Sequence, residues 1–348
     1  MTRRLVHTAI TTGLAAAALA ALSELGVAQG TNKIGTSAAT FLRIPVGARS
    51  VAMGNAFVSM DDDPSALYWN AAVPASMTSM VVMADHSPWL PGVTFDFFGL
   101  VLPFEDAGTV GIAATILQTE EMNVTTPAQP TGTGETFRAS SVALGVTYSR
   151  SLTDRFAIGG TFRYIRETIY NSTASGIAFD VGTIFETPFE GIRLGASIAN
   201  FGTKMRMEGE DLNVRVDIAP DQEGNNQSIV GRLSTDEFDL PLIMRLGISG
   251  EVVNTNDIRV TLAADGVNPN DNAVSLNVGS EVALFKEMVR IRAGYRDLFL
   301  ANSEFGFTWG VGLHDISIAD AVGVTVEYGY QDYVHLGQAN RFTLAIRF

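Results

Sequence analysis

The sequence predicts an all-β fold, a transmembrane antiparallel β-barrel of about fourteen strands with an N-terminal plug segment. Three observations predict it. After residue 79, apolar and polar residues alternate with a period of two, in runs of about ten residues, the length of a tilted membrane-crossing strand. The connections between runs alternate short and long. The chain opens on an export-type leader, yet no later stretch is apolar enough for a spanning helix.

Composition agrees. Charged residues make up 17% of the 348 and hydrophobic ones 46%, with a mean hydropathy of +0.18. That is too apolar for a disordered chain. The net charge of −14 repels phosphate backbones and argues against a nucleic-acid partner. There is no cysteine, which excludes disulfides, thiolate metal sites and a cysteine nucleophile.

Residues 1–28 read as a signal peptide. Arg3 and Arg4 form a basic start, an Ala/Leu-rich run extends from Ala9 to Leu22, and Gly26-Val27-Ala28 closes it with small residues. The run is too short to span a membrane. Residues 29–79 lack alternation and read as a lumen plug. Leu42, Ala48, Val51, Ala52 and Ala56 have helical spacing, with Gly47 and Gly54 as breaks. Asp63-Pro64 reads as N-cap and N1 of a short helix through Leu67, Tyr68 and Trp69. Asp61, Asp62 and Asp63 are adjacent and lack EF-hand spacing, so capping and solvation are expected there rather than a metal.

Residues 80–348 read as the barrel. Runs start near Met80, Val93, Gly108, Phe137, Phe156, Gly176, Ile192, Phe238, Ile258, Asn272, Val289, Glu304, Val322 and Arg341. In the last two, Val324, Val326, Leu344 and Ile346 should face lipid, and Thr325 and Thr343 the lumen. Short turns are expected at Phe104–Ala107, Ser151–Asp154, Thr187–Gly191, Asn254–Asp257 and Phe285–Glu287. Longer external loops are expected at Thr119–Thr136, Asn171–Ser175, Phe201–Glu237, Gly266–Asp271, Arg296–Ser303 and Gln331–Ala339. Pro88–Gly92 is short for an external turn, and His314–Ala321 is long for a periplasmic one. Tyr164, Tyr170, Tyr295, Phe305, Tyr328, Tyr330 and Phe342 fall at outer strand ends, as girdle aromatics do; Tyr148, Phe156, Phe185 and Phe348 fall at inner ends. Phe348, closing an alternating run, is similar to the terminal assembly signal of outer-membrane barrels.

Gly47-Ala48-Arg49-Ser50-Val51-Ala52-Met53-Gly54-Asn55-Ala56-Phe57-Val58, followed by Asp62-Asp63-Pro64-Ser65-Ala66-Leu67-Tyr68-Trp69-Asn70, resembles the opening motif of the PorV/PorQ family, a relative of FadL-type fatty-acid transporters. The family's Asn-Pro-Ala is Asn70-Ala71-Ala72 here, which loosens the expected turn. Asp239-Leu240-Pro241 with Arg245-Leu246-Gly247, and the tail through Leu336-Gly337 and Arg341-Phe342-Thr343-Leu344, also resemble family segments. The resemblance implies a plugged fourteen-stranded barrel in the outer membrane of a Gram-negative-type bacterium, surrounded by outer-membrane lipid. It implies a type IX secretion component that binds or shuttles cargo, with the translocon and cargo C-terminal domains as partners. The alternative it implies is a FadL-like channel for long-chain hydrophobic solutes.

No cofactor and no enzyme activity are expected. No G-x-S-x-G, H-E-x-x-H, Walker A or G-x-G-x-x-G motif occurs. His335 near Asp332 is the one candidate proton-transfer pair, and a solvated outer loop is the expected reading there. Inward Arg163, Glu167, Asp180, Arg193, Arg259, Glu281, Arg290, Arg292 and Glu327 either line a path or fill the lumen as ion pairs. This inward set makes the lumen read as polar and charged, which favours the secretion role. The acidic Phe201–Glu237 loop is either a solvated loop over lipopolysaccharide or a partner-docking surface, which a secretion partner would use together with Thr119–Thr136.

Overall fold

The computed structural model describes residues 35–348 apart from 190, 219–220, 222–227, 302, 320–321 and 336. The signal-peptide reading of residues 1–28 lies outside the described residues, as do residues 29–34.

Fourteen antiparallel strands close into one barrel. They are β1 (Val81–Leu90), β2 (Val93–Pro103), β3 (Thr109–Thr119), β4 (Ala139–Thr153), β5 (Phe156–Ile169), β6 (Ser172–Glu186) and β7 (Ile192–Gly202). They continue as β8 (Ile243–Asn254), β9 (Ile258–Pro269), β10 (Ser275–Leu284), β11 (Val289–Leu298), β12 (Phe305–Ala319), β13 (Val322–Tyr333) and β14 (Gly337–Arg347). Each strand pairs with its neighbours in sequence, and β1 closes on β14 from Val81↔Arg347 to His86↔Phe342. Closure leaves no unpaired sheet edge, the condition for crossing a bilayer with strands.

Side chains alternate as the sequence predicts. On β14, Thr343 is buried while Leu344 is 44% exposed; on β13, Glu327 is buried while Val326 is 50% exposed. The outward faces form an apolar belt that includes Phe98, Leu144, Phe162, Leu246 and Ile291. At the loop end, Trp309, Tyr328, Tyr330 and Phe342 form an aromatic cluster with neighbouring centroids 5.4–5.8 Å apart. An apolar outer belt with an aromatic girdle, around a closed barrel, places the chain in the outer membrane.

Three expectations are corrected. Asn171–Ser175 is not a loop: Ile169 pairs with Ser172 across a two-residue turn, and Tyr170 adopts φ 50°. Ser172 and Ala174 point into the lumen, so the polarity there marks an inner face rather than a connection. The described part of His314–Ala321 is likewise strand: β12 runs to Ala319 with register shifts between Leu313 and Ile316 and between Ser317 and Ala319. Those bulges break the alternation that marks a strand in sequence. Phe305 leaves the girdle because a register shift lies between it and Thr308; its ring lies 3.6 Å from the Arg296 guanidinium and packs on buried Tyr333.

Residues 35–79 contain a 3₁₀ turn at Thr40–Arg43, helix α1 (Ala48–Ala52), helix α2 (Ala66–Trp69) and a second 3₁₀ turn at Val73–Ser76. Between Phe41 and Pro74 only Arg43, Asp61, Asp62 and Pro64 escape full burial. Asp63 is not the N-cap of α2: Ser65 is, and Asp63 Oδ1 accepts from the Ser65 amide at 2.8 Å, so α2 begins later than the Asp63-Pro64 pair suggests. The segment lies against wall glycines. A Cβ on Gly294 would sit 2.8 Å from the Gly54 Cα, and one on Gly159 would overlap the Ala71 carbonyl. Only glycine permits backbone to lie on backbone at that separation.

Candidate functional site: a lumen divided in two

The family-motif residues fasten the N-terminal segment to the wall. The Gly47 amide donates to Asp85 Oδ2 (3.2 Å) and the Ala48 amide to Thr343 Oγ1 (2.8 Å). Arg49 grips Glu281 through two nitrogens, at 2.8 and 3.0 Å, and lies 3.7 Å from Asp63. The Gly54 amide donates to Thr308 Oγ1 at 3.0 Å. Ala56 is fully buried, and the Phe57 and Val58 amides donate to Asp265 Oδ2 at 2.6 and 2.8 Å. Ala66 and Leu67 are buried on α2, with Leu67 against Gly99 and Gly111. Trp69 Nε1 donates to the Val46 carbonyl, and the Arg245 guanidinium lies 5.2 Å from a Trp69 ring centre. Asn70 Nδ2 donates to Val58 and Thr183 carbonyls at 2.8 and 3.0 Å, and its Oδ1 accepts from Ala72. That side-chain turn does locally what a proline at position 71 would do by fixing φ. Phe348 is half exposed, and its amide donates to the Met80 carbonyl at 2.9 Å.

The three consecutive aspartates separate. Asp61 pairs with Arg193, Asp62 lies 3.7 Å from His314 Nε2, and Asp63 faces Arg49 and Ser65. Among the described residues no group of three His, Asp or Glu side chains is placed to hold a metal ion. His335 meets Glu304 at 2.7 Å rather than Asp332, in an exposed position.

The lumen is not uniformly charged, and the sequence-based expectation is corrected here. Against β7 and β9–β14 it holds an ionic network. Glu281 accepts from Arg49, from Arg292 at 2.7 Å and from Arg259 at 3.0 Å. Arg292 also reaches Glu327 at 2.8 Å, and Glu287 accepts from Arg259 at 2.5 Å and from Arg290 at 2.9 Å. Glu287 sits on the turn after β10, where hydrogen bonding from Arg259 holds its carboxyl below the usual carboxylate range, against the opposing effect of burial.

Against β1–β6 the filling is mixed: an apolar cluster lies beside buried charges, Asp85 with Arg341 and Arg163 with Asp180. Phe41, Leu42, Val46, Leu67 and Tyr68 of the N-terminal segment pack with Met83, Phe95, Phe97, Val101, Ala143 and Ile165 of the wall. Sequence reading missed this cluster, because β2 carries Phe95, Phe97 and Phe98 on both faces and so hides which side is which.

Two cavities stack along β3–β5 in this sector. At the loop end an open 240 Å³ cavity is lined by apolar Leu117, Ala139, Ile169 and Met207 and by polar Ser141 and Glu167, with Gln118, Thr119, Ser140 and Thr168 beside them. Below it a void of 10 Å³ is lined by Leu67, Tyr68, Phe97 and Ala143 together with Thr115, Thr161 and Arg163. The register shows them to be consecutive tiers. Leu117, Ser141 and Glu167 form one row; Thr115, Ala143 and Ile165 form the next; Ala113, Gly145 and Arg163 form the third. Fully buried Ile165 stands between the two cavities.

This geometry defines a class: an outer-membrane β-barrel of fourteen antiparallel strands whose inward side chains hydrogen-bond a buried N-terminal segment. No family model matches the sequence, and no curated protein does. Solved structures do resemble it. A Pseudomonas aeruginosa FadL homologue aligns at TM-score 0.54 and 12% identity, over 88% of this chain and 98% of that one. The monoaromatic hydrocarbon channel CymD aligns at 0.53 and 12%, over 87% and 97%. The Pseudomonas putida toluene transporter TodX aligns at 0.52 and 11%, over 86% and 96%. At such identities the likeness establishes the fold.

Proposed function

We propose that this barrel conducts apolar solutes along the inner face of β3–β5, with the described segment 35–79 as the plug that gates them. The stacking of the two cavities across the Ile165 row, beside the apolar cluster of the lumen, carries the reading. A solute entering at the loop end meets Leu117 and Ile169 first and needs only side-chain displacement at Ile165 and Leu67 to descend. The fold's solved examples include hydrocarbon channels and toluene transporters, which favours this reading over the secretion role that the motif resemblance implies. The test is entry of fluorobenzene into proteoliposomes carrying a lipopolysaccharide outer leaflet. Faster, saturable entry than in protein-free vesicles is expected; equal rates would overturn the proposal.

One observation favours a secretion partner as a second reading. The loop between β7 and β8 projects a two-stranded hairpin, Asn213–Val216 with Ile229–Arg232, and leaves Ile218, Val230 and Leu233 exposed. Co-purification with a type IX translocon or cargo, lost when this hairpin is excised, would support it. Isolation of the barrel without such proteins would remove it.

A further inference from the structure

Each inward charge that the sequence marks on the barrel wall finds an opposite charge, with one exception. Arg163 pairs with Asp180, Arg193 with Asp61, and Glu281, Glu327, Arg259, Arg290 and Arg292 share the network described above. Glu167 takes part in no ion pair among the described residues. One oxygen accepts from the Ala39 amide at 3.2 Å and the other from Ser141 Oγ at 3.3 Å. Both bonds are long, and a carboxylate offers about four acceptor positions, so acceptor capacity remains. Glu167 lines the 240 Å³ cavity, the larger of the two along β3–β5.

We propose that this cavity is a binding site for a neutral, one-ring aromatic solute carrying a hydrogen-bond donor, a hydroxyl or an amine, with Glu167 as the acceptor that selects it. Size, apolar surface and charge agree on this. A closed apolar cavity of about 150 Å³ holds benzene, and this site, open and lined by both apolar and polar side chains, has 240 Å³, room for a ring with a hydrogen-bonding substituent. Leu117, Ile169, Met207 and Ala139 supply apolar surface for the ring. Glu167 supplies an anionic acceptor at one wall, where a donor such as phenol O–H makes a charge-assisted bond. The same charge repels the carboxylate of a fatty acid or a benzoate, so selection acts against acids as well as against plain hydrocarbons.

This site rests on the solute-channel reading for its purpose but not for its test. The full chain, reconstituted in nanodiscs, is titrated with 4-fluorophenol, fluorobenzene and 4-fluorobenzoate while ¹⁹F line widths are followed. A hydrogen bond to a charged group predicts about a tenfold preference for 4-fluorophenol over fluorobenzene, with 4-fluorobenzoate weakest. Glu167→Leu should erase the preference and leave fluorobenzene affinity within about twofold, since it removes an acceptor and keeps the bulk. Ala139→Phe, which fills the cavity without touching the charge, should weaken both neutral probes. Retention of heat-modifiable mobility on gels shows that each variant folds. Equal affinity for the two neutral probes in the native protein, or a preference that survives Glu167→Leu, would overturn the assignment. Preferential binding without fluorobenzene entry would leave the site standing and remove the channel. Entry without preference would do the reverse, and absence of both would remove both.

Discussion

At Glu281 three guanidiniums meet one carboxylate that is fully withdrawn from solvent. Taking one partner from a buried ion pair costs about 3–5 kcal/mol, because the remaining charge loses its counter-charge without regaining water. Glu281→Gln should therefore cost about that much, since Arg49, Arg259 and Arg292 are all left facing a neutral amide. Arg49→Met should cost less, about 1–2 kcal/mol, because Arg259 and Arg292 still hold Glu281. Urea unfolding of the reconstituted barrel measures both, and the reverse order would contradict the network. Glu287 adds a pH dependence. Its folded pKa lies below the unfolded value, so its contribution is present above about pH 4.3 and is lost as pH falls through the lower folded value. In Glu287→Gln the acid side of the stability profile should be shallower than in the native chain, as unfolding midpoints between about pH 6 and 3 will show.

At the scale of elements, the N-terminal segment depends on its glycine bed. A methyl group at Gly294 has no room: the neighbours are Gly54 and Met53 backbone, not a flexible side-chain end. Gly294→Ala should lift α1 from β11 while the barrel stays closed. Planar-bilayer conductance should rise, and new protease cuts should appear within residues 47–60, with heat-modifiable mobility unchanged; an unchanged conductance and digest would show the contact to be dispensable. How far the sequence exposes these elements follows from the same contacts. The strands are legible because the two faces meet chemically opposite surroundings, lipid outside and polar filling inside, as at Thr343 and Leu344. They fail to be legible where that contrast lapses. Ser172–Ser175 is polar on a strand end, β12 is bulged near Asp315, and β2 is aromatic on both faces. The motif from Gly47 to Asn70 is visible as a string, but its role as a set of fasteners is not. Its partners, among them Asp85, Glu281, Asp265 and Thr308, are distant in sequence and are brought together only by barrel closure.

Across the whole molecule, a network of buried charges dominates the lumen against β7 and β9–β14, and an apolar cluster sits beside fewer charges against β1–β6. The ionic half anchors the N-terminal segment through Arg49 and Asp61, so displacement there breaks buried pairs. Against β1–β6 displacement breaks dispersion contacts and hydrogen bonds, among them Gly47 to Asp85, Ala39 to Glu167 and Asn70 to Thr183, and two voids already interrupt the packing. Movement of a solute should therefore follow β3–β5. Glu167 and its cavity could not be read as a site from sequence, since an inward glutamate among inward arginines looks paired until the register sets Arg163 two rows below it beside Asp180.

The most direct measurement of this route uses the absence of native cysteine. Leu67 packs on Gly111 at the lower end of the apolar cluster, with the Leu67 Cγ 3.4 Å from the position a Gly111 Cβ would take. A Leu67→Cys, Gly111→Cys double variant should form a disulfide that pins α2 to β3. Fluorobenzene entry into lipopolysaccharide-coated proteoliposomes should then fall to the protein-free rate on oxidation and return on reduction. Entry that is the same in the oxidised and reduced states, with the cross-link confirmed by mass, would contradict passage along β3–β5.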